Sequence, residues 1–279
     1  MKIKGLLVAS MMMLTATTTL AESTNTSSSA FSDIWKKLKD SPFSMSYLND
    51  TYASAKLMQD KGLKSGHYLY LNYKLDKYHK FTIKPLVHTD WTKKQKDDNQ
   101  VHTELHSTEL RFTRSSILNQ NDHGVNYSFL LRNYVMNNAK ESGYDTYHLL
   151  YNSFSRSFGK YNLSFAPGLY IYNKNKGANN VQDTINYVGL THTYSVNDNI
   201  YLSFANAYYG YKYDDKSNNR ELLLTNLTAG YTFSNGVDVS LYFEGYTFDS
   251  AIDNNLIASY QPEWVKNSYV GTLVSFPIF

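Results

Sequence analysis

The chain has no cysteine, so neither a disulfide framework nor a thiolate metal site can form. Proline is scarce, with five in 279 residues. Beyond residue 21 there is no run of the ~18 apolar residues that reads as a transmembrane helix. A dominant charge is missing too: 27 lysines and arginines meet 24 acidic residues. Two of those lysines, Lys2 and Lys4, sit in the leader, so the remainder is near neutral. Bulk charge therefore gives no support to nucleic acid as a partner. No Gly-rich phosphate loop and no HExxH pair occurs, and no cofactor and no metal is expected.

What is present begins with that leader. Lys2 and Lys4 precede an apolar stretch from Gly5 to Leu14, and small residues follow up to Thr19-Leu20-Ala21. This is the layout of a secretory signal peptide over 1–21, cleaved after Ala21. The stretch is about half the ~20 apolar residues that a span needs. Residues 22–30 are rich in Ser and Thr and read as a disordered linker. In 31–40, Phe31, Ile34, Trp35 and Leu38 recur at helical spacing, with Lys36, Lys37 and Lys39 opposite and Ser32 as N-cap. That pattern predicts a short amphipathic helix, either lying on a surface or tucked into the mouth of the domain that follows.

From Tyr68 to the end the period is two, while the alternation of the first and last expected strands is weak. Val125, Tyr127, Phe129 and Leu131 alternate with Asn126, Ser128, Leu130 and Arg132. Tyr161, Leu163, Phe165, Leu169 and Ile171 alternate with Asn162, Ser164, Ala166, Gly168, Tyr170 and Tyr172. Val237, Val239, Leu241 and Phe243 alternate with Asp238, Ser240, Tyr242 and Glu244. Each segment runs to about a dozen residues, longer than the ~5–6 of an ordinary sandwich strand. Charged and amide groups sit mid-strand on the polar parity, where a sandwich core would need partners for them. A membrane barrel places that parity in a wet lumen and the apolar parity in lipid. The 26 tyrosines suit a membrane interface or a hydroxyl-lined interior.

Short connections at 76–78, 158–159, 197–199 and 234–236, with a longer one at 118–124, alternate with long polar ones. Strands are thus expected near 43–55, 64–75, 79–92, 102–116, 124–136, 145–157, 160–172, 183–196, 200–213, 221–233, 237–248 and 262–279. The fold class is all-β: a transmembrane antiparallel up-and-down β-barrel of about twelve strands over 43–279, with both ends on the short-turn side. Pro85, Pro167 and Pro277 fall inside these segments and call for a bulge, a break or a shifted boundary.

The chain ends on Phe279. A terminal aromatic on a last strand resembles the C-terminal signal of Gram-negative outer-membrane barrels, which implies the barrel-assembly machinery as a partner. The match is partial: Leu273 shares the parity of Phe279, whereas Val270, Val274, Phe276 and Ile278 lie on the other. In size and strand count the chain resembles twelve-stranded monomeric channels, such as the oligogalacturonate-specific porin family or the nucleoside-specific channels. That resemblance implies a cell outer-membrane location, lipid around the barrel, and transport of small hydrophilic solutes, anionic oligosaccharides among them.

Two constellations could carry such a function. Of five arginines, Arg111, Arg132 and Arg156 are expected on the lumenal parity of consecutive strands, with His148 nearby. Together they would form an anion-binding wall, or else ion pairs with Glu109, Asp238 and Glu244 that brace the barrel. Tyr134, Tyr170, Tyr172, Tyr242 and Tyr246 are expected to point inward, joined by Tyr209, Tyr211 and Tyr213. They would stack on rings in transit or simply fill a narrow interior. Catalysis is weakly supported, and no catalytic residue is assigned. His192 and Ser195 are three apart and face oppositely on a strand. His106 shares a face with Thr108, not Ser107, and His102 and His106 are too far apart on a strand for a tight metal site. Only His88 and Asp90 share a lumenal face. A barrel hydrolase acting on lipid or peptide, and a structural or receptor barrel with a plugged lumen, are the alternatives.

Overall fold

The alternating segments pair into one sheet, and the sheet closes on itself. The structure, a computed structural model, describes residues 41–54, 63–91, 102–137, 139–175, 181–213, 216–249 and 268–279. The signal peptide, linker and amphipathic helix expected over 1–40 lie outside the described residues. Residues Pro42–Phe279 form one unit. Its strands are β1 (Phe43–Ser54), β2 (Leu63–Lys74), β3 (His79–Asp90), β4 (His102–Leu118), β5 (Asn126–Met136) and β6 (Tyr144–Phe158). They continue as β7 (Tyr161–Lys174), β8 (Gln182–Ser195), β9 (Ile200–Tyr213), β10 (Arg220–Thr232), β11 (Asp238–Asp249) and β12 (Tyr269–Pro277). Each strand pairs antiparallel with its sequence neighbours, and β1 pairs with β12. Closure matters because an open edge in hydrocarbon would leave backbone N–H and C=O groups unpaired, at several kcal/mol each.

One end of the barrel carries tight connections. The β6–β7 turn contains Gly159 at φ 58, a left-handed conformation that glycine adopts without strain. Between β4 and β5 lies a single helical turn, α1 (Gln120–His123), capped by the Asn119 side chain and ended by Gly124 at φ 74. The chain terminus is at this end, where the Met45 amide donates to the Phe279 carbonyl at 3.0 Å. The opposite end carries the longer connections, including a short helix, α2 (Ala139–Ser142), and a 3-10 turn at Lys216–Asn218.

The two sheet faces differ in chemistry. Leu131, Leu150, Leu163, Leu202, Phe204 and Leu241 are all exposed on the outside. A continuous band of large exposed apolar side chains would be an aggregation surface in water and is the lipid-facing surface of a transmembrane barrel. Tyr73, Phe81, Phe158, Tyr161, Tyr231 and Phe233, also exposed, gather toward the short-turn rim, the place of an interfacial aromatic girdle. Inside, Thr82, Lys84, Ser107, Glu109 and Ser240 are buried.

The prolines account for gaps in the ladder. Pro85 pairs with Thr108 on β4, but the β2–β3 register skips from Tyr68↔Leu86 to Leu71↔Ile83. Pro167 pairs with Val188 on β8, while the β6–β7 register skips from Tyr151↔Gly168 to Phe154↔Phe165. Each proline lacks the N–H that one of its two ladders would use. A bulge at Leu86/Val87 against β4 follows directly after Pro85, and Pro277 ends β12.

Candidate functional site

The lumenal face at mid-barrel divides into three sectors. The first lies on β3, β4 and β5. Lys84 and Glu109 are cross-strand partners, as are Arg111 and Arg132, so the strand register alone converges three cations on one carboxylate. The Arg111 Nε donates to Glu109 at 2.6 Å, the Arg132 Nε lies 3.6 Å away, and Lys84 forms an ion pair with the same side chain. The Glu109 side chain is 1% exposed, whereas Arg111 and Arg132 keep 16% and 23% exposure toward the lumen. Tyrosine faces hold the cations in place: Lys84 lies over Tyr68 and Tyr70, Arg111 over Tyr70, and Arg132 over Tyr151 at 5.3 Å. These contacts orient the cations without neutralising them.

The second sector, on β5 to β9, is aromatic. Tyr134 stacks on Tyr147 with ring centroids 4.2 Å apart, and Tyr147 stacks on Tyr172 at 5.0 Å. The series continues through Tyr170–Tyr187 at 6.3 Å and Tyr187–Tyr209 at 5.2 Å, with Tyr209 next to Tyr211. Offset and edge contacts at these spacings are the favoured geometry for aromatic pairs. The arc leaves ring faces and hydroxyls along one wall.

The third sector, on β10, β11 and β1, is acidic. The Tyr242 hydroxyl donates to Asp50 at 2.8 Å, and the Asn226 amide donates to Glu244 at 3.2 Å. Toward the short-turn rim on the same wall, Tyr201 and Thr232 donate to Asp238 at 3.0 and 2.7 Å. Among the described residues, ion pairs reach Glu109 but none reaches Asp50 or Glu244. The Tyr242 ring lies over Gly271, its cross-strand partner. A Cβ at Gly271 would collide with the ring that positions the Asp50 carboxylate.

The expected site residues divide accordingly. Arg111, Arg132, Tyr134, Tyr170, Tyr172, Tyr242, Tyr246, Tyr209, Tyr211 and Tyr213 are on lumenal rungs. Arg156 and His148 are not. Arg156 pairs with Leu163 and His148 with Asn133 and Ile171, all on the outer face. Arg156 stacks on Phe158 at the short-turn rim, and the His148 Nε2 lies 3.1 Å from the Asn173 amide. Of the three arginines and the histidine expected on the lumenal face, only Arg111 and Arg132 are found there, beside Lys84. The reason lies in β6, where polar and apolar residues occur on both parities. Its orientation is imposed by pairing Arg132 with Leu149 and Tyr134 with Tyr147. Of the bracing carboxylates, Glu109 makes the ion pairs, while Asp238 and Glu244 are held by neutral donors. Lys84, Asp50, Tyr147 and Tyr187 were not anticipated. Lys84 was legible as the polar residue between Ile83 and Pro85, whereas Asp50 sits on the strand with the weakest alternation.

His88 and Asp90 do share the lumenal face, on rungs with Glu104 and His102. The His88 ring stacks on His106, which occupies the β4 bulge, at 4.4 Å. Among the described residues, no serine or threonine hydroxyl bonds to either ring. His192 faces outward beside Phe204, and Ser195 faces inward beside Tyr201. A groove of about 660 Å³ between Phe204, Leu227, Leu241 and Val270 lies on the outer surface and meets lipid rather than solute.

A scan against protein-family models and a search of curated proteins find no match to the chain. Solved structures do match. The NanC porin is 7% identical with a TM-score of 0.51, over 83% of this chain and 97% of its own. An outer-membrane channel from Pseudomonas putida F1 is 10% identical with a TM-score of 0.58, over 85% of this chain and 96% of its own. At such identities the likeness shows the fold alone, a closed twelve-stranded antiparallel β-barrel.

Proposed function

We propose that the protein is an outer-membrane channel for passive diffusion of small hydrophilic solutes. The observation that carries this reading is the partial exposure of the Arg111 and Arg132 side chains inside the barrel, where three cations share one carboxylate. Charges that only brace a packed interior are balanced by partners. One carboxylate serves three cations in that sector, so a solute carboxylate finds donors able to bind it in bidentate fashion. A polyanionic oligosaccharide would also have to pass Asp50 and Glu244. Carboxylate-bearing solutes of low charge therefore fit the lumen better than the anionic oligosaccharides first expected. Insertion through the barrel-assembly machinery, read from Phe279, belongs to the same proposal.

Liposome swelling in arabinose tests passage, and absence of swelling would refute it. In planar bilayers under a salt gradient, Arg111→Gln with Arg132→Gln should move the reversal potential toward cation preference. An unmoved potential would mean that these arginines do not line the conducting path.

A further inference from the structure

The cationic and acidic sectors are not interspersed. Lys84, Arg111 and Arg132 occupy adjacent strands β3 to β5. Asp50 and Glu244 occupy β1 and β11, which are separated in the closed sheet only by β12. Tyr242, whose hydroxyl donates to Asp50, is two residues from Glu244 on the same face of β11. On one side Lys84 lies over Tyr68, on the β2 strand paired with that of Asp50. On the other, Asn226, which donates to Glu244, is on the β10 strand paired with that of Tyr209 at the end of the tyrosine arc. The sectors therefore follow one another around a single belt of the lumen: carboxylates, cations, aromatic faces and carboxylates again.

Had the opposite charges been needed only to brace the barrel, they would pair across neighbouring strands, as Lys84 does with Glu109. Asp50 and Glu244 are instead fixed by tyrosine and asparagine donors. Those bonds come from neutral donors and hold the carboxylates in place. A charge of each sign, fixed on different walls of one low-dielectric passage, produces a field across it, and such a field orients dipoles.

We infer that the favoured solutes are zwitterions of amino-acid type, carrying one carboxylate and one ammonium group. The carboxylate turns toward Lys84, Arg111 and Arg132, and the ammonium turns toward Asp50 and Glu244. An apolar or planar side chain lies against the tyrosine arc. This inference rests on the channel reading and names the solute class for the same lumen. A monoanion is attracted by one wall and repelled by the other, and a monocation meets the reverse. A zwitterion alone satisfies both walls in one orientation.

The experiment compares swelling rates of liposomes carrying the full chain in four solutes of similar size. These are arabinose, glutamine, N-acetylglutamine (ammonium removed) and glutamine amide (carboxylate neutralised). Each rate is taken as a ratio to arabinose. Glutamine should exceed both singly charged analogues by about threefold, as a water-screened charge pair would give. The excess should shrink as ionic strength rises. Asp50→Asn with Glu244→Gln should bring the glutamine ratio down to that of N-acetylglutamine, and Arg132→Gln should bring it toward that of the amide. If arabinose enters but glutamine shows no excess over its analogues, the zwitterion inference falls while the channel stands. If arabinose does not enter, both fall. The wild-type comparison needs no variant, so a misfolded mutant cannot rescue the idea.

Discussion

Replacing Glu109 with glutamine is the most informative single change in the barrel. The substitution keeps shape and one hydrogen-bond acceptor for Arg111 but removes the only negative charge among Lys84, Arg111 and Arg132. Removing one partner of a buried ion pair costs ~3–5 kcal/mol, because the remaining charge stays desolvated. Three cations are left here, which pushes the cost up. Their side chains keep 10%, 16% and 23% exposure, so lumenal water screens them and pushes it down. The lower end, about 3 kcal/mol, is therefore expected. With a urea slope of about 3 kcal/mol/M, that is a drop of about 1 M in the unfolding midpoint. Tryptophan fluorescence of the detergent-folded barrel reads the transition. Adding Lys84→Met to Glu109→Gln should recover part of the loss, since it removes one unbalanced charge. An unchanged midpoint in the single variant, or a further drop in the double, would refute the claim that Glu109 holds this sector together.

Other outcomes follow from the same geometry. Leu150→Arg, on the outer face, should destabilise the barrel by ~2–4 kcal/mol if it lies near the bilayer midplane, whereas the inward Ser153→Arg should cost far less. Equal midpoints for the two in lipid would mean the faces are misassigned. Gly271→Val should displace the Tyr242 ring and release Asp50, lowering both the folded yield on a heat-modifiability gel and the glutamine-to-arabinose ratio. In the β2–β3 turn, the Asp76 carboxylate accepts from the Tyr78 and His79 amides at 2.7 and 2.8 Å and from the His79 ring. These donors, the His79 ring first, hold its pKa down to about 2. A depressed carboxylate stabilises the fold above its ordinary titration range and loses that contribution as pH falls from about 4 toward 2. Amide exchange in the turn should quicken over that window, and Asp76→Asn should abolish the pH dependence.

The lumen couples two properties usually treated separately. The contacts that fix the sectors are structural, since Tyr151 under Arg132, Tyr242 on Asp50 and Asn226 on Glu244 each hold a charge in a defined place. On the proposed channel reading their effect on passage is electrostatic, because a fixed charge on the lumen wall acts on each solute without having to reorganise.

The amino-acid sequence by itself determined the class of fold and most of its faces. A period of two needs only local alternation, and the alternation of short and long connections needs only the chain order. Both point to a closed barrel whose hydrocarbon face is Leu131, Leu163 and Leu241 and whose wet face includes Arg132, Tyr170 and Tyr242. Tertiary structure decided what alternation cannot encode. In β6 both parities are mixed, and the hydrogen-bond register with β5 and β7 turned Arg156 and His148 outward. Barrel closure brought Asp50, at one end of the sequence, under the hydroxyl of Tyr242, near the other. The grouping of cations, rings and carboxylates into sectors is likewise a matter of which strands become neighbours. That order around the barrel exists only once β1 has paired with β12.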